Sequence, residues 1–249
     1  MMIIRIAMYE LRRLFASPLA WLLLATIQFL AAMFFYVLLS RYLGAAQSHG
    51  DHGLTETVAA GTLQITGIIV LLITPFLTMR LFSDEQRSGT INLLFSSPVS
   101  VTELVLGKYL GVTLLLFMAL VMVALMPLSL LPGTPLDLGL LAAGLLGLAL
   151  LMLCFAAIGL FISTLTAQPV TAASATFAAL FLLWVIHIAG SSAHGALAGV
   201  FAWLSLLRHF NALLRGVVSS VDVAYFLLLG SAFLLLSIWR LDAMRTHHW

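Results

Sequence analysis

The sequence predicts an all-α integral membrane protein, on the evidence of its composition, its long apolar runs and the distribution of its positive charges. Of its 249 residues, 63% are hydrophobic and only 8% are charged. A soluble domain carries about 25% charged residues, so this chain has too few polar side chains to cover a water-exposed surface. Most of its surface must therefore face lipid. The net charge of +2 and the absence of a Lys/Arg run do not favour nucleic-acid binding.

Six apolar runs are long enough to cross a membrane, which takes about 20 residues of helix. The predicted spans are residues 18–39, 58–79, 105–128, 138–162, 170–189 and 221–239. Together they form a single transmembrane domain over residues 1–249. Because the first run is long and follows an acidic Glu10, it is expected to be a span and not a cleaved signal peptide. Acidic and basic residues are absent from the middle of every predicted span, which disfavours an ion-coupled transporter.

The positive charges predict that both termini lie in the cytoplasm. With that orientation, the inside segments hold Arg5, Arg12, Arg13, Arg80, Arg87, Lys108, Arg240 and Arg245. The outside segments hold Arg41, Arg208 and Arg215. The segment 190–220 is then extracytoplasmic.

The cytoplasmic segment 81–104 is the longest charged stretch. Ser83 and Gln86 form a capping-box pattern, which predicts a helix from Asp84. That helix is expected to run past Gly89 and to stop before Pro98. It either lies under the bilayer or docks a cytoplasmic partner. Its candidate docking residues are Asp84, Glu85, Arg87, Gly89, Thr90, Ile91, Leu94, Phe95 and Pro98.

Two further predictions concern a second capping box at the end of this segment and a helix at the N-terminus. Ser100 and Glu103 form a second capping box, which is expected to open the third span. Residues 1–17 predict an amphipathic helix in the membrane interface, with an apolar stripe at Ile4, Met8, Leu11 and Phe15. The polar side of this helix offers Glu10, Arg12 and Arg13 for a partner contact, or simply for anchoring the chain.

A short amphipathic helix is also predicted after the fifth span, closed by Gly216. It either plugs the bundle or forms an outer gate. The gate candidates are Phe210, Asn211 and Arg215.

Two other chemistries are disfavoured by the sequence. His49, Asp51 and His52 lie close together, but a metal site needs three or four convergent ligands, and this Gly-containing loop is expected to be solvated. Ser191 and His194 suggest a serine protease only weakly, because the G-x-S-x-G pattern is missing. We therefore predict no catalytic and no metal-binding residues.

The stretches ELRRLFASPLA and DEQRSGTINLLFSSPVS resemble type 2 ABC exporter permeases, and most closely the gliding-motility-associated group. That group has an E-x-R-x-G-T-x-x-x-L-x-x-x-P-V pattern after its second helix. The matching residues here are Glu85, Arg87, Gly89, Thr90, Leu94, Pro98 and Val99. The C-terminal stretch SLLRHFNALLRGVVSSVDVAYFLLL is also similar to that group, so the resemblance covers essentially the whole chain.

The resemblance implies a bacterial inner-membrane permease subunit that pairs with a second copy or a sister permease and binds two ATPase subunits. It also implies that the segment from Glu85 to Pro98 is a coupling helix beside an N-terminal elbow helix. The chain has no G-x-x-x-x-G-K-[ST] motif, so ATP and Mg²⁺ are expected on the partner and no cofactor on this chain. Its single lysine, Lys108, is expected to snorkel toward the cytoplasm.

The alternative function is a membrane anchor that recruits a cytoplasmic or cell-envelope partner without transporting anything. An extracytoplasmic auxiliary protein is compatible with either function. Apolar spans with scattered polar residues do not identify a substrate. Reversing the charge of Glu85 is expected to uncouple the ATPase.

Overall fold

The computed structural model describes residues 2–45, 53–91, 99–132, 136–192 and 203–247, and every regular element in these ranges is a helix. The elements are α1 (Met2–Ala16), α2 (Pro18–Ala45), a π-helical turn (Thr55–Ala60), α3 (Gly61–Thr78), α4 (Ser83–Ser88), α5 (Val101–Leu128), α6 (Leu138–Ser163), α7 (Pro169–Ser192), α8 (Leu206–Leu214) and α9 (Ser220–His247).

The six predicted spans are confirmed. Six helical stretches are long and apolar enough to cross a membrane, and they are Pro18–Gly44, Thr55–Ser88, Val101–Leu128, Leu138–Ser163, Pro169–Ile186 and Ser220–Arg245. The share of residues buried in the most apolar part of each stretch differs between helices. It is 72% for the α3 stretch and 67% for α6, but only 17% for α2 and 22% for α7. The bundle therefore has an inner pair of helices, α3 and α6, and an outer set that exposes large apolar side chains.

Helix α6 lies at the centre and contacts α3, α5, α7, α8 and α9. Glycines allow its neighbours to approach closely. A Cβ atom on Gly159 would overlap the Oγ1 of Thr78, and one on Gly147 would lie 2.9 Å from the Cβ of Leu213. Small residues at helix contacts are typical of membrane bundles, where van der Waals packing drives helix association.

The hydroxyl groups of the buried threonines in α3 form their hydrogen bonds within their own helix. Thr62, Thr66, Thr74 and Thr78 each donate a hydrogen bond to the carbonyl four residues earlier. An unsatisfied hydroxyl would be costly inside a bilayer, so this local bonding lets α3 be buried without a polar network.

Two of the predicted helix ends are confirmed. Ser100 is the N-cap of α5, and it and Glu103 form both bonds of a capping box. Gly216 has φ +80 and follows α8, where Val217 N–H bonds to Ala212 O and Gly216 N–H bonds to Leu213 O. This is the Schellman pattern that glycine favours after a helix.

The predicted start and length of α4 are wrong. Ser83 is not its N-cap, because the Ser83 hydroxyl donates back to the carbonyl of Met79, and the Gln86 side chain bonds elsewhere. The helix ends at Ser88 because Gly89 adopts φ 73, a left-handed conformation that breaks the helix. Of the predicted continuation, Ile91 is buried and residues 92–98 lie outside the described residues.

We expect Gly159→Ala to lower the melting temperature in detergent, because the new methyl group would collide with fully buried Thr78. Overpacking of this kind typically costs about 1–3 kcal/mol. The matched control is Gly230→Ala in α9, where a Cβ would meet no atom within 4 Å. That change should be neutral or stabilising by up to about 1 kcal/mol. Equal melting temperatures for the two variants would contradict the close α3–α6 contact.

Candidate functional site

Charged side chains from α1, α4 and α5 meet at one end of the bundle, which we call the junction; its members are Glu10, Arg13, Asp84, Glu85 and Lys108. The Nζ of Lys108 lies 2.5 Å from the Oε1 of Glu85 and 3.7 Å from the Oε2 of Glu10. The Lys108 and Glu10 side chains are only 3% and 4% exposed. The junction is therefore a buried ion cluster and not a set of surface charges.

Further contacts complete the environment of Lys108 and extend the cluster. The Lys108 ammonium donates to Leu81 O at 2.7 Å and lies 5.0 Å from the centre of the Phe82 ring. Arg13, which is partly exposed, lies 3.5 Å from both Glu10 and Asp84. Arg13 thus connects α1 to α4 at the rim of the cluster.

The expectation that Lys108 snorkels to the cytoplasm is wrong. The side chain points inward because two carboxylates and a carbonyl oxygen compensate its charge there. Burying a lone ammonium would cost many kcal/mol, but a paired and hydrogen-bonded one is tolerated.

Glycines of α5 bring α1 close enough to complete the junction. Gly107 and Gly111 flank Lys108 in a G-x-x-x-G pattern. A Cβ on Gly107 would lie 2.6 Å from the Cβ of Ile6, and one on Gly111 would lie 2.8 Å from the Cβ of Glu10. Helix α1 therefore lies in a groove that only glycine leaves open. The sequence carried this signal, since G-x-x-x-G in an apolar helix marks a packing face.

Helix α4 is fastened by four consecutive side chains, each of which bonds to a different part of the bundle. Ser83 donates to Met79 at the end of α3, and Asp84 pairs with Arg13 of α1. Glu85 pairs with Lys108 of α5. Gln86 donates to Thr164 O at the end of α6, at 2.8 Å. Any displacement of α4 must therefore strain or move α1, α3, α5 and α6.

The residues that follow these four form the exposed C-terminal end of α4 and the turn after it. Arg87, Ser88, Gly89 and Thr90 are exposed. Of the predicted docking residues, Arg87, Gly89 and Thr90 are therefore available to a partner. Asp84 and Glu85 point toward the junction, and Ile91 is buried. Leu94, Phe95 and Pro98 lie outside the described residues.

The predicted elbow helix exists, but its polar residues divide between two environments. Arg12 is exposed, whereas Glu10 is 3% exposed and belongs to the junction. The apolar stripe is also divided, since Ile4 and Met8 are exposed while Leu11 and Phe15 pack against the core. An exposed apolar stripe on a helix that ends at the first span fits a position in the membrane interface.

A cavity of about 260 Å³ lies between α1 and the start of α5. It is lined by Arg5, Ile6, Tyr9, Glu10, Glu85, Val99, Ser100, Val101, Leu104 and Lys108. The second carboxylate oxygen of Glu85, Oε2, is buried and accepts no hydrogen bond from the described residues. Glu85 therefore retains an acceptor that a water molecule in a cavity of this size can satisfy.

The three gate candidates at the opposite end do not share one surface. Phe210 is fully buried beside Gly67 of α3 and Trp184 of α7, with its ring centre 6.4 Å from that of Trp184. Asn211 and Arg215 instead line a separate cavity of about 330 Å³ beside the π-helical turn. Within the single chain, Phe210 thus acts as a packing residue of α8.

The disfavoured metal and protease chemistries gain no support. Within the described part of the chain, His, Cys, Asp and Glu residues form no group of three or more that could hold a metal ion. His49, Asp51, His52 and His194 lie outside the described residues, and the side chain of Ser191 is also not described.

Comparison with known proteins gives one result of broad coverage. A family model described as ABC-2 family transporter protein matches residues 4–244, which is nearly the whole chain. No curated protein matches the sequence.

We expect Lys108→Met to lower the free energy of unfolding in detergent by about 3–5 kcal/mol, because Glu85 would remain buried without a cation and Glu10 would keep only its contact with Arg13. The matched control adds Glu10→Gln and Glu85→Gln to the same variant. This triple variant should recover most of the loss, since neutral groups of similar shape carry no buried charge. A Lys108→Met protein as stable as the wild type would contradict a buried ion cluster.

We expect Gly107→Leu to displace α1, because a side chain there would collide with Ile6. Trypsin should then cleave after Arg12 at least about tenfold faster, since cleavage follows the population of the opened segment. Gly230→Leu in α9, where no atom lies within 4 Å of the added Cβ, is the control. Equal cleavage rates for the two variants would show that α1 does not depend on the glycine groove.

Proposed function

Because the chain belongs to the ABC-2 family of transporters, we propose that it couples ATP hydrolysis by a separate ATP-binding subunit to the export of a substrate. The family and the six spans make it a multi-pass permease subunit of an ABC transporter. The observation that carries the finer proposal is the mounting of α4. This helix presents an exposed polar C-terminal end and is bonded by four side chains to four helices of the bundle.

The mechanism that we propose is mechanical. A partner that pushes on Arg87 and the residues after it would displace α4, and the Glu85–Lys108 and Asp84–Arg13 pairs would pass this displacement to α5 and α1. The bond from Gln86 to Thr164 would pass it to α6, which contacts most of the bundle. ATP binding would then shift the permease between two arrangements by the difference in these contacts.

The proposed assembly contains two ATP-binding subunits, which hold ATP and Mg²⁺, and two permeases, either two copies of this chain or this chain with a sister permease. Helices α2, α7 and α9 expose large apolar side chains, among them Phe29, Phe181 and Leu228. Such surfaces suit lipid or a second permease. We further propose that the subunit lies in a bacterial inner membrane with both termini in the cytoplasm, so that the junction and α4 face the ATP-binding subunits. The narrower resemblance to gliding-motility-associated permeases rests on the motif around Glu85.

Reversing the charge of Glu85 is not a clean test of docking. Glu85→Arg would place a second cation against buried Lys108 and disrupt the junction itself. Arg87 is the better position, because it is exposed and no side-chain bond in the described structure depends on it.

We expect Arg87→Glu to reduce co-purification of the ATP-binding subunit by about tenfold or more, as loss of a central interface charge costs about 1.4 kcal/mol or more. The membrane level and melting temperature of the permease should not change. The control is Arg41→Glu, an exposed arginine at the far end of α2. Undiminished binding and transport in Arg87→Glu would contradict docking on α4. A bound partner that carries no ATP-binding motif would favour the anchor function instead.

A further inference from the structure

A second polar cluster lies at the end of the bundle opposite the junction, and we call it the latch. It consists of the side chains of His209, Asp222 and Tyr225 and the backbone carbonyls of Trp203 and Leu204. His209 lies on α8, and its side chain is 7% exposed. The Nδ1 of its ring lies 2.5 Å from the Oδ1 of Asp222 on α9, and its Nε2 lies 2.9 Å from the carbonyl oxygen of Trp203. The ring also stacks on Tyr225, with ring centres 4.1 Å apart.

The latch holds the chain segment that leads into α8. The Tyr225 hydroxyl donates to Leu204 O at 2.7 Å, next to the carbonyl that His209 contacts. The edge of the Trp203 ring packs against Tyr225. Two side chains thus fasten consecutive carbonyls, and Asp222 and Tyr225 connect this segment to α9.

The hydrogen-bond partners of His209 determine how many protons the latch holds. A backbone carbonyl can only accept, so Nε2 must carry a hydrogen. In a neutral ring, Nδ1 would then present a lone pair to the Asp222 oxygen 2.5 Å away, and an ionised carboxylate can only accept as well. The geometry therefore requires one proton more than a neutral histidine and an ionised aspartate supply.

Among the described residues of the neighbouring helices, the titratable side chains that contact the His209 ring are Asp222 and Tyr225 of α9. The helices packed against α8 are α3, α6, α7 and α9. Helix α3 has no titratable residue, α6 has only Cys154, and α7 has only His187, whose side chain is not described. From α9 the ring is faced by Asp222 and Tyr225, and α8 itself carries Arg208 beside it in sequence.

We propose that His209 and Asp222 form a proton-binding site that fastens α8 to α9. With the proton bound, both ring nitrogens donate and the latch is closed. When the proton leaves, one nitrogen must face an acceptor without a hydrogen, and the fastening of α8 is lost. Because the closed state binds one proton more than the open state, linkage predicts that the latch weakens as pH rises. This proposal does not depend on the ATP-binding partner.

The decisive variant is Asp222→Asn, which keeps the shape of the side chain but removes the need for the proton. The new amide N–H can donate to the lone pair of Nδ1, while Nε2 of the neutral ring still donates to Trp203 O. The variant should therefore keep α8 fastened at every pH. Its comparison with the wild type at equal pH also cancels the pH dependence of amide exchange itself.

We would measure pulsed hydrogen exchange of the full-length chain in lipid nanodiscs, at the amides of residues 206–214. At about pH 6 the two proteins should exchange equally, and at about pH 10 the wild type should exchange about tenfold faster or more. His209→Phe, which keeps the stacking on Tyr225 but cannot bond, should exchange fast at both pH values. Amides of α6 report that each variant is folded.

Three outcomes would overturn the proposal. They are equal exchange of the wild type and Asp222→Asn at both pH values, fast exchange of Asp222→Asn at about pH 6 with α6 intact, and full protection of α8 in His209→Phe.

Discussion

The buried ammonium group of Lys108 is the constraint on which this end of the molecule depends. The cation is stable there only because Glu10 comes from α1, Glu85 comes from α4 and the Leu81 carbonyl precedes α4. A buried ion cluster adds little net stability compared with apolar packing, yet removal of one member is costly. We infer that its main effect is on specificity, because this arrangement of α1, α4 and α5 places Lys108 against two opposite charges.

The rest of the bundle is organised so that charge is confined to its two ends. Between them, α3 and α6 pack through glycines, and the threonines of α3 bond within their own helix. Among the described residues, few side-chain hydrogen bonds therefore cross this core from one span to another. Polar bonds between helices are concentrated at the junction and the latch, which restrain α1 and α4 at one end and α8 at the other. Between these ends, Tyr109 donates to Leu153 O and Gln28 donates to Met122 O.

The sequence was most informative where a local rule decides the structure. Apolar length predicted the six spans, Ser100 with Glu103 predicted the start of α5, and Gly216 predicted the end of α8. The sequence was misleading where a contact with a distant part of the fold determines which hydrogen bonds a side chain makes. Ser83 and Gln86 match a capping box, but Met79 and Thr164 take their hydrogen bonds. Lys108 and Glu85 are distant in sequence, so only the fold shows that they pair. The His209–Asp222 contact likewise has no local signature.

The fastening of α4 has a consequence for how motion can pass through this protein. A helix of six residues is only about 9 Å long, so it is too short to act as a lever that amplifies a small rotation. Its consecutive side chains are bonded to four different helices, and these bonds oppose tilting or sliding of α4 by itself. A displacement of α4 would therefore be passed on without amplification, and the helices bonded to it would move together.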